Sequence, residues 1–449
     1  MKRRLLVIGL DCAEPSLVFG ALRERMPCTR GLCDRGTWGE LRSTDPPITM
    51  PAWLAMFTGL DPGELGVYGF RNRPDHGYGP MQIASARSTR ASRVWDRLSE
   101  AGLCSFLLGV PGTYPPWPIR GRMVASFLSP GKEAVYTYPR ELAASLDALA
   151  GGEYLVDVTG FRTEDKDWLL GEIRRMTTAR FQLARTWAAE PDWDLFALVE
   201  MGPDRLHHGF WRHFDPAHRL HQPSSPYTSA IPDYYALLDS EIASLVEAAG
   251  PGTAVMLVSD HGARAMQGGF CINEWLVEQG DLVLASRPEP AERLQPEHVD
   301  WTRTRAWGAG GYYGRVFINV QGREPSGAVP RAQLEGYRAD LIRRLEATAD
   351  EDGRSLGTRV LRPDTIYRRV SGIPPDLLVY FGDLAWRSIG TLGSGRIHVR
   401  GNDTGPDDAN HDRHGIFVFA DPARPGDGAR VERDILEVTP AILDFFGLA

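Results

Sequence analysis

Thr49 offers a hydroxyl at the mouth of an expected helix, in the stretch Pro46-Pro47-Ile48-Thr49-Met50-Pro51-Ala52-Trp53. Pro51 suits a first helical turn, where its missing N–H is harmless. Ala52 to Thr58 are helix-compatible, and Gly59 ends the run. A helix N-terminus presents unpaired N–H groups and the positive end of the macrodipole, which stabilise an oxyanion or a phosphate. Thr49 is therefore a candidate nucleophile. The plainer alternative is that Thr49 is only an N-cap.

A free Thr hydroxyl is a poor nucleophile, and a metal that lowers its pKa solves that problem. The chain holds a matching set of donors. Three apolar runs lead to an acid: Leu5–Leu10 before Asp11, Asp194–Met201 shortly before Asp204, and Ala254–Ser259 before Asp260. His208 follows Asp204 by four residues, so the two can share one helical face. His261 adjoins Asp260, and His411 precedes the late apolar run Ile416–Ala420. Asp and His suit zinc and other borderline divalent metals. Three Asp and three His are enough for two ions, with Thr49 bridging them or bound to one. Two ions can clamp the attacking and leaving oxygens of an in-line phosphoryl transfer. Taken singly, Asp11 could cap a helix, Asp204 and His208 could be a solvated pair, and Asp260-His261-Gly262 could be a turn. Their joint order after strands argues for a site.

The elements that must position these groups follow from periodicity. Strand-like runs alternate with helical ones, which predicts an α/β fold with a mainly parallel central sheet flanked by helices. In such sheets ligands gather at the carboxyl ends of the strands. The predicted order is a strand at Leu5–Leu10, a helix near Pro15–Arg25, the Thr49 helix, a helix at Ser92–Ala101 and a strand at Cys104–Val110. A long amphipathic helix follows at Thr163–Ala189, with Trp168, Leu169, Ile173, Met176, Phe181 and Trp187 as its apolar positions. Then come the strand Asp194–Met201, a helix over most of Tyr227–Ala249 and the strand Ala254–Ser259. From about 280 to 405 the pattern weakens into short strands, such as Val316–Val320 and Leu377–Phe381, among Gly, Pro and Arg-rich loops. This region reads as an inserted cap. Thr439-Pro440 is expected to cap a final helix, Ala441–Phe446. Because motifs at both ends serve one site, residues 1–449 read as one catalytic domain.

Composition narrows the class. A chain of 449 residues with 43% hydrophobic and 24% charged residues has the make-up of a globular protein. The net charge of -8 argues against a nucleic-acid polymer as partner. Cys12, Cys28, Cys33, Cys104 and Cys271 are scattered and form no CxxC pair, so reduced thiols and a cytoplasmic location are expected. Met1 to Leu10 is too short in apolar residues for a signal peptide, and Asp11 interrupts it. No run reaches membrane-spanning length, so no membrane partner is expected.

The sequence resembles the alkaline phosphatase superfamily, in particular its type I phosphodiesterase/nucleotide pyrophosphatase branch and the group of predicted phosphohydrolases and phosphomutases within it. The matching residues are Val7-Ile8-Gly9-Leu10-Asp11, Ile48-Thr49-Met50-Pro51-Ala52-Trp53, Thr58-Gly59-Leu60-Asp61-Pro62-Gly63, Asp204-Arg205-Leu206-His207-His208, Ser259-Asp260-His261-Gly262 and His411-Asp412-Arg413-His414-Gly415. The resemblance implies an alkaline-phosphatase-like fold and two divalent ions, zinc or in some relatives manganese. It implies that Asp11, Asp260, His261 and the nucleophile Thr49 hold one ion, and that Asp204, His208 and His411 hold the other. His207 and His414 are the near misses. Relatives that cleave nucleotides place an Asn after the nucleophile helix to hold phosphate. Phe70 stands at that position here, with Arg71 and Arg73 as candidate replacements or as plain surface charges.

The reaction implied is hydrolysis of a small-molecule phosphate ester, diester or monoester. Thr49 attacks phosphorus to give a phospho-threonine, and water then cleaves it. No side chain stands out as a general acid. Trp307, Tyr312, Tyr313, Trp386 and Arg387 in the cap are candidates for choosing the organic group, or for packing. The rival readings are a phosphomutase using the same intermediate, and a non-catalytic metal or phosphate-ester binding protein.

Overall fold

The computed structural model describes residues 3–448; Met1 and Lys2, where the signal-peptide reading begins, lie outside them. Among the described residues, ten strands build the central sheet. Its main strands are β1 (Leu5–Leu10), β2 (Thr37–Arg42), β3 (Ser105–Val110), β4 (Gly121–Ala125), β5 (Thr137–Tyr138), β6 (Leu195–Glu200) and β7 (Ala254–Val258). Two short strands, β8 (Gly262–Ala265) and β9 (Ala409–Asp412), pair off the main sheet, and β10 (His414–Ala420) returns to it. Every residue of β1, β3, β6 and β7 is buried. Unbroken apolar runs of this kind arise where helices cover both faces of a parallel sheet.

The sheet order is Ala429–Arg430, β2, β10, β7, β1, β6, β3, β4, β5. From β7 to β4 the pairing is parallel, and β10, β2 and β5 add antiparallel edges. The order puts β1 between β7 and β6, with Gly9 opposite Val258 and Leu10 opposite Glu200. Three neighbouring strands therefore end together, and Asp11, Asp260 and the turn toward Asp204 leave the sheet side by side.

The helices that matter for the site are α1 (Thr49–Thr58), α2 (Lys166–Ala188), α3 (Gly202–Phe214), α4 (Ala230–Ala249) and α5 (Val438–Phe445). All ten residues of α1 are buried, and Gly59 closes it at φ 73°, a left-handed conformation that suits Gly. Thr49 is the first helical residue, not the cap: Ile48 holds the cap position, and no side chain caps the helix. Trp53 lies across β1 at Gly9. A Cβ on Gly9 would sit 2.4 Å from Trp53 Cη2 and 2.8 Å from Val199 Cγ2. We expect Gly9→Ala to destabilise the fold by about 1–3 kcal/mol through overpacking, read by urea unfolding.

Most expected elements are present within a few residues of their predicted ends, with particular differences. Pro15–Arg25 holds a π-helical segment, Leu17–Ala21, and a 3-10 turn, Arg23–Arg25, instead of one α-helix. The Asp165 side chain caps α2 at Trp168 N, so that helix starts later than Thr163. Trp168 is 42% exposed and is not a core position. Thr439 is not the cap of α5 but lies inside it, where its hydroxyl donates to Met56 O at 2.7 Å and ties α5 to α1.

A second hydrophobic cluster runs from Phe270 to Phe381. It is built on a four-stranded antiparallel sheet, Ala306–Ala309, Gly314–Ile318, Leu377–Tyr380 and Arg359–Leu361, and on the helix Leu334–Glu346. None of the helices described is long and apolar enough to cross a membrane.

Candidate active site

Asp11, Asp204, Asp260, His208, His261, His411 and Thr49 converge, and each is at most 2% exposed. Asp11 and Asp260 stand just beyond β1 and β7. Asp204 and His208 occupy the first two turns of α3, whose Pro203 suits its N-terminus. His411 arrives by a route the sequence did not disclose. Gly262 opens the strand β8, which pairs antiparallel with β9 and sets His411 opposite Ala263.

The three carboxylates and His411 each have one atom tied back and one left over. Trp53 Nε1 donates to Asp11 Oδ2 at 2.7 Å, and Cys12 N donates to Asp260 Oδ1 at 3.2 Å. Arg205 holds Asp204 Oδ2 and is itself gripped by both oxygens of Asp157, at 2.9 and 2.8 Å. The partner oxygens, Asp11 Oδ1, Asp260 Oδ2 and Asp204 Oδ1, are buried without a hydrogen bond, as is His411 Nε2. His411 Nδ1 donates to Pro47 O at 2.9 Å, and His261 Nδ1 to Gly262 O at 3.1 Å. A carbonyl only accepts, so both rings carry their proton on Nδ1 and turn a lone pair on Nε2 inward. Thr49 Oγ1 lies 3.3 Å from His261 Nε2.

Two groups of ligand atoms lie within 4.8 Å of one another: Asp11, Asp260 and His261, and Asp204, His261 and His411. Buried carboxylate oxygens and imidazole nitrogens with no partner fit divalent cations, since an unpaired buried polar atom is otherwise costly. His208 belongs to neither group, although its Nε2 is 3.2 Å from Asp204 Oδ1. Its Nδ1 meets Asp407 Oδ1 at 2.6 Å. Asp407 also receives Arg162, Arg387 and Asn402.

The electrostatics follow from this crowding. Burial, and then the charge of Asp204, hold the Asp11 carboxyl well above the usual range. Burial, and then Asp11, do the same to Asp260. Burial also presses on Asp204, but His208 and Arg205 outweigh it and leave Asp204 well below the ordinary value. Burial pushes His261 down to about 4, and burial with His261 lowers His411. For His208, burial is outweighed by Asp407, Tyr312 and Asp204, which favour the imidazolium. A cation bound there would take the place of that proton.

The near misses are placed elsewhere. His207 Nε2 faces Tyr235 OH at 3.1 Å, and His414 is exposed. Arg73 differs from the expectation of a substrate contact. It is buried, paired with Glu324 at 3.4 Å, and lies over Trp307 and Phe317 in the second cluster. Arg71 is exposed on a short hairpin, where its carbonyl accepts from Arg315. Of the cap candidates, Tyr312 and Arg387 reach the site. Trp307 packs with Trp301, Tyr313 donates to Tyr68 O, and Trp386 stands against His398.

Sequence reasoning missed three supports: Trp53, Arg205 and Asp407. Trp53 had a readable signal, because it follows Thr49 by one helical turn. Arg205 adjoins Asp204 in sequence. Asp407 had no signal beyond being a carboxylate near His411. A carboxylate behind a ligand histidine orients it and raises its basicity. We expect Asp407→Asn to weaken zinc binding by about 10- to 100-fold, measured by competition with a chelator. Unchanged affinity would remove Asp407 from this role.

The sequence profile of the type I phosphodiesterase / nucleotide pyrophosphatase family matches residues 5–415. The chain belongs to this family. It is thus a member of the alkaline phosphatase superfamily and a hydrolase acting on phosphoric ester bonds. The fold is also that of human ectonucleotide pyrophosphatase / phosphodiesterase 5, with a TM-score of 0.55 at 14% identity, covering 100% of this chain and 96% of that one. The murine form gives 0.57 at 13% identity with the same coverage. At this identity the likeness is one of fold. No curated protein sequence matches the chain.

Proposed function

We propose that this family member hydrolyses a small-molecule phosphate ester by a two-step in-line displacement, with Thr49 as nucleophile and a phospho-threonine as intermediate. The observation that carries the reading is the position of Thr49. It is the first residue of a buried helix, and its hydroxyl lies 3.3 Å from His261 Nε2 beside three converging carboxylates.

The residues that would hold two divalent ions are Asp11, Asp260, His261 and Thr49 for one, and Asp204 and His411 with His208 for the other. Zinc is the expected metal and manganese the alternative. Bound there, the ions would lower the pKa of the nucleophile and neutralise charge on the phosphoryl oxygens. The protein supplies the rest. Thr49 Oγ1 is held by its place on a buried helix. Pro51 has no N–H and Ala52 N bonds Ile48 O, so the N–H groups of Thr49 and Met50 at the start of α1 are the ones that would meet phosphoryl oxygens. Trp53, Cys12 N and Arg205 each fix one carboxylate oxygen, so the other stays aimed inward without reorganising.

Residues 1–449 then act as one catalytic domain, with the region of about 280–405 as a cap. A reducing compartment, the cytoplasm, fits cysteines that are scattered along the sequence and form no CxxC pair. The test is turnover of bis-(p-nitrophenyl) phosphate and p-nitrophenyl phosphate by protein loaded with zinc or manganese. Faster turnover of the diester would make it a phosphodiesterase, and faster turnover of the monoester a phosphatase. No turnover of either by metal-loaded protein would sink the reading.

A further inference from the structure

Tyr312 reaches into the site from the second cluster's sheet. It lies in the turn between Ala306–Ala309 and Gly314–Ile318. Its ring stacks on His411, with centroids 3.9 Å apart and planes at 25°. His261 stacks on His411 as well, at 3.7 Å and 17°. Two rings cannot share one face of an imidazole at such distances, so His261 and Tyr312 sandwich His411. Thr49 Oγ1 touches the His261 end of this stack. The Tyr312 hydroxyl stands at the other end, 3.2 Å from His208 Nε2.

The tyrosine is anchored as firmly as the ligand histidines. Asn410, the residue before His411, donates to Tyr312 O at 3.0 Å and to Leu384 O at 2.7 Å. Arg387 lies 4.6 Å over the ring. Arg162 bridges the phenol oxygen and Asp407. A guanidinium has donors only, so the phenol oxygen accepts from Arg162 and keeps its own hydrogen for another acceptor.

An in-line displacement puts the leaving oxygen opposite the attacking one. We propose that the Tyr312 hydroxyl donates a hydrogen bond to the leaving oxygen of the ester. This rests on the displacement at Thr49 proposed above. As the bond from Thr49 Oγ1 to phosphorus forms, the bond from phosphorus to the leaving oxygen breaks. That oxygen keeps the electron pair, and the Tyr312 O–H stabilises it. The Thr49 proton passes to water, and water returns one to the departed alkoxide. Arg162 is a positioning residue that holds the phenol.

The experiment compares two leaving groups. In whichever ester class the wild type turns over, kcat/KM is measured for the p-nitrophenyl ester and for the phenyl ester. Phenoxide is the more basic leaving group and needs the donor more. Tyr312→Phe keeps the stacked ring and removes only the hydroxyl. It should lower kcat/KM on the phenyl ester about 10²-fold more than on the p-nitrophenyl ester, the lower end of what one hydrogen-bond donor to a developing oxyanion supplies. Bound zinc per chain and the thermal midpoint should stay at wild-type values. Arg162→Gln should give the same pattern, weaker. Equal losses on the two esters, or no loss on the phenyl ester, would overturn the assignment of Tyr312. A metal-loaded wild type inactive on both esters would sink the displacement reading itself, and this proposal with it.

Discussion

Thr49→Ala should lose at least about 10⁴-fold in kcat, since removing the nucleophile of a covalent mechanism removes the whole route. The loss should appear with zinc still bound, because Asp11, Asp260 and His261 remain in place. Two measurements check this: steady-state turnover of the better nitrophenyl ester, and intact mass after an acid quench during turnover. Wild-type protein should carry one added group on Thr49, a phosphoryl from the monoester or a nitrophenyl-phosphoryl from the diester, and Thr49→Ala none. Thr49→Ser, which keeps the hydroxyl, should recover part of the rate and the covalent label. Thr49 is the first residue of α1 and caps nothing, so its loss should barely affect folding. If Thr49→Ala retained most of the activity, the nucleophile would lie elsewhere and the two-step mechanism would be wrong.

Asp260→Asn should separate function from stability in opposite directions. Asn keeps an oxygen for the Cys12 N–H but loses the charge that faces the cations. Turnover at saturating zinc should fall by about 10²- to 10³-fold, the scale of losing one electrostatic stabiliser in a buried site. The metal-free protein should be more stable than wild type at neutral pH. Asp260 sits in a buried site beside Asp11, and both carboxyls are held above their ordinary values. A raised carboxyl binds its proton more readily in the folded state than in the unfolded one. Its contribution is therefore present below the unfolded value, about 4, and is lost as pH rises toward the folded value. At neutral pH wild type carries that loss and Asp260→Asn does not. Thermal midpoints in EDTA across pH 4 to 8 check this. The gap between variant and wild type should widen with pH, and added zinc should favour wild type. A gap of the opposite sign at neutral pH would mean that the carboxylates are not in conflict.

Much of this was legible in the chain because the relevant physics is local. Unbroken apolar runs such as Leu5–Leu10 and Ala254–Ser259 read as buried parallel strands, and the acids that end them read as ligands. Thr49, Pro51 and Gly59 marked the start and end of α1, because Pro and Gly act through their own backbones. The spacing of Asp204 and His208 put them on one face of α3, and α3 bears this out.

The rest depended on which distant segments meet, and periodicity carries no record of that. The order β7, β1, β6 brings three acids to neighbouring strand ends. The β8–β9 pairing, which starts at Gly262 directly after Asp260-His261, brings His411 beside them. The part played by Trp53 depends on Gly9, more than forty residues earlier, lacking a Cβ. Arg73 read equally as a phosphate contact or a surface charge, and the fold pairs it with Glu324 inside the second cluster; Asp407 meets His208 only because α3 lies beside it. Residue types and their short spacings set what chemistry this chain can do. Only the tertiary fold decided which side chains share the buried site, because a contact between distant residues is selected by packing of the whole chain and not by the residues on either side of it.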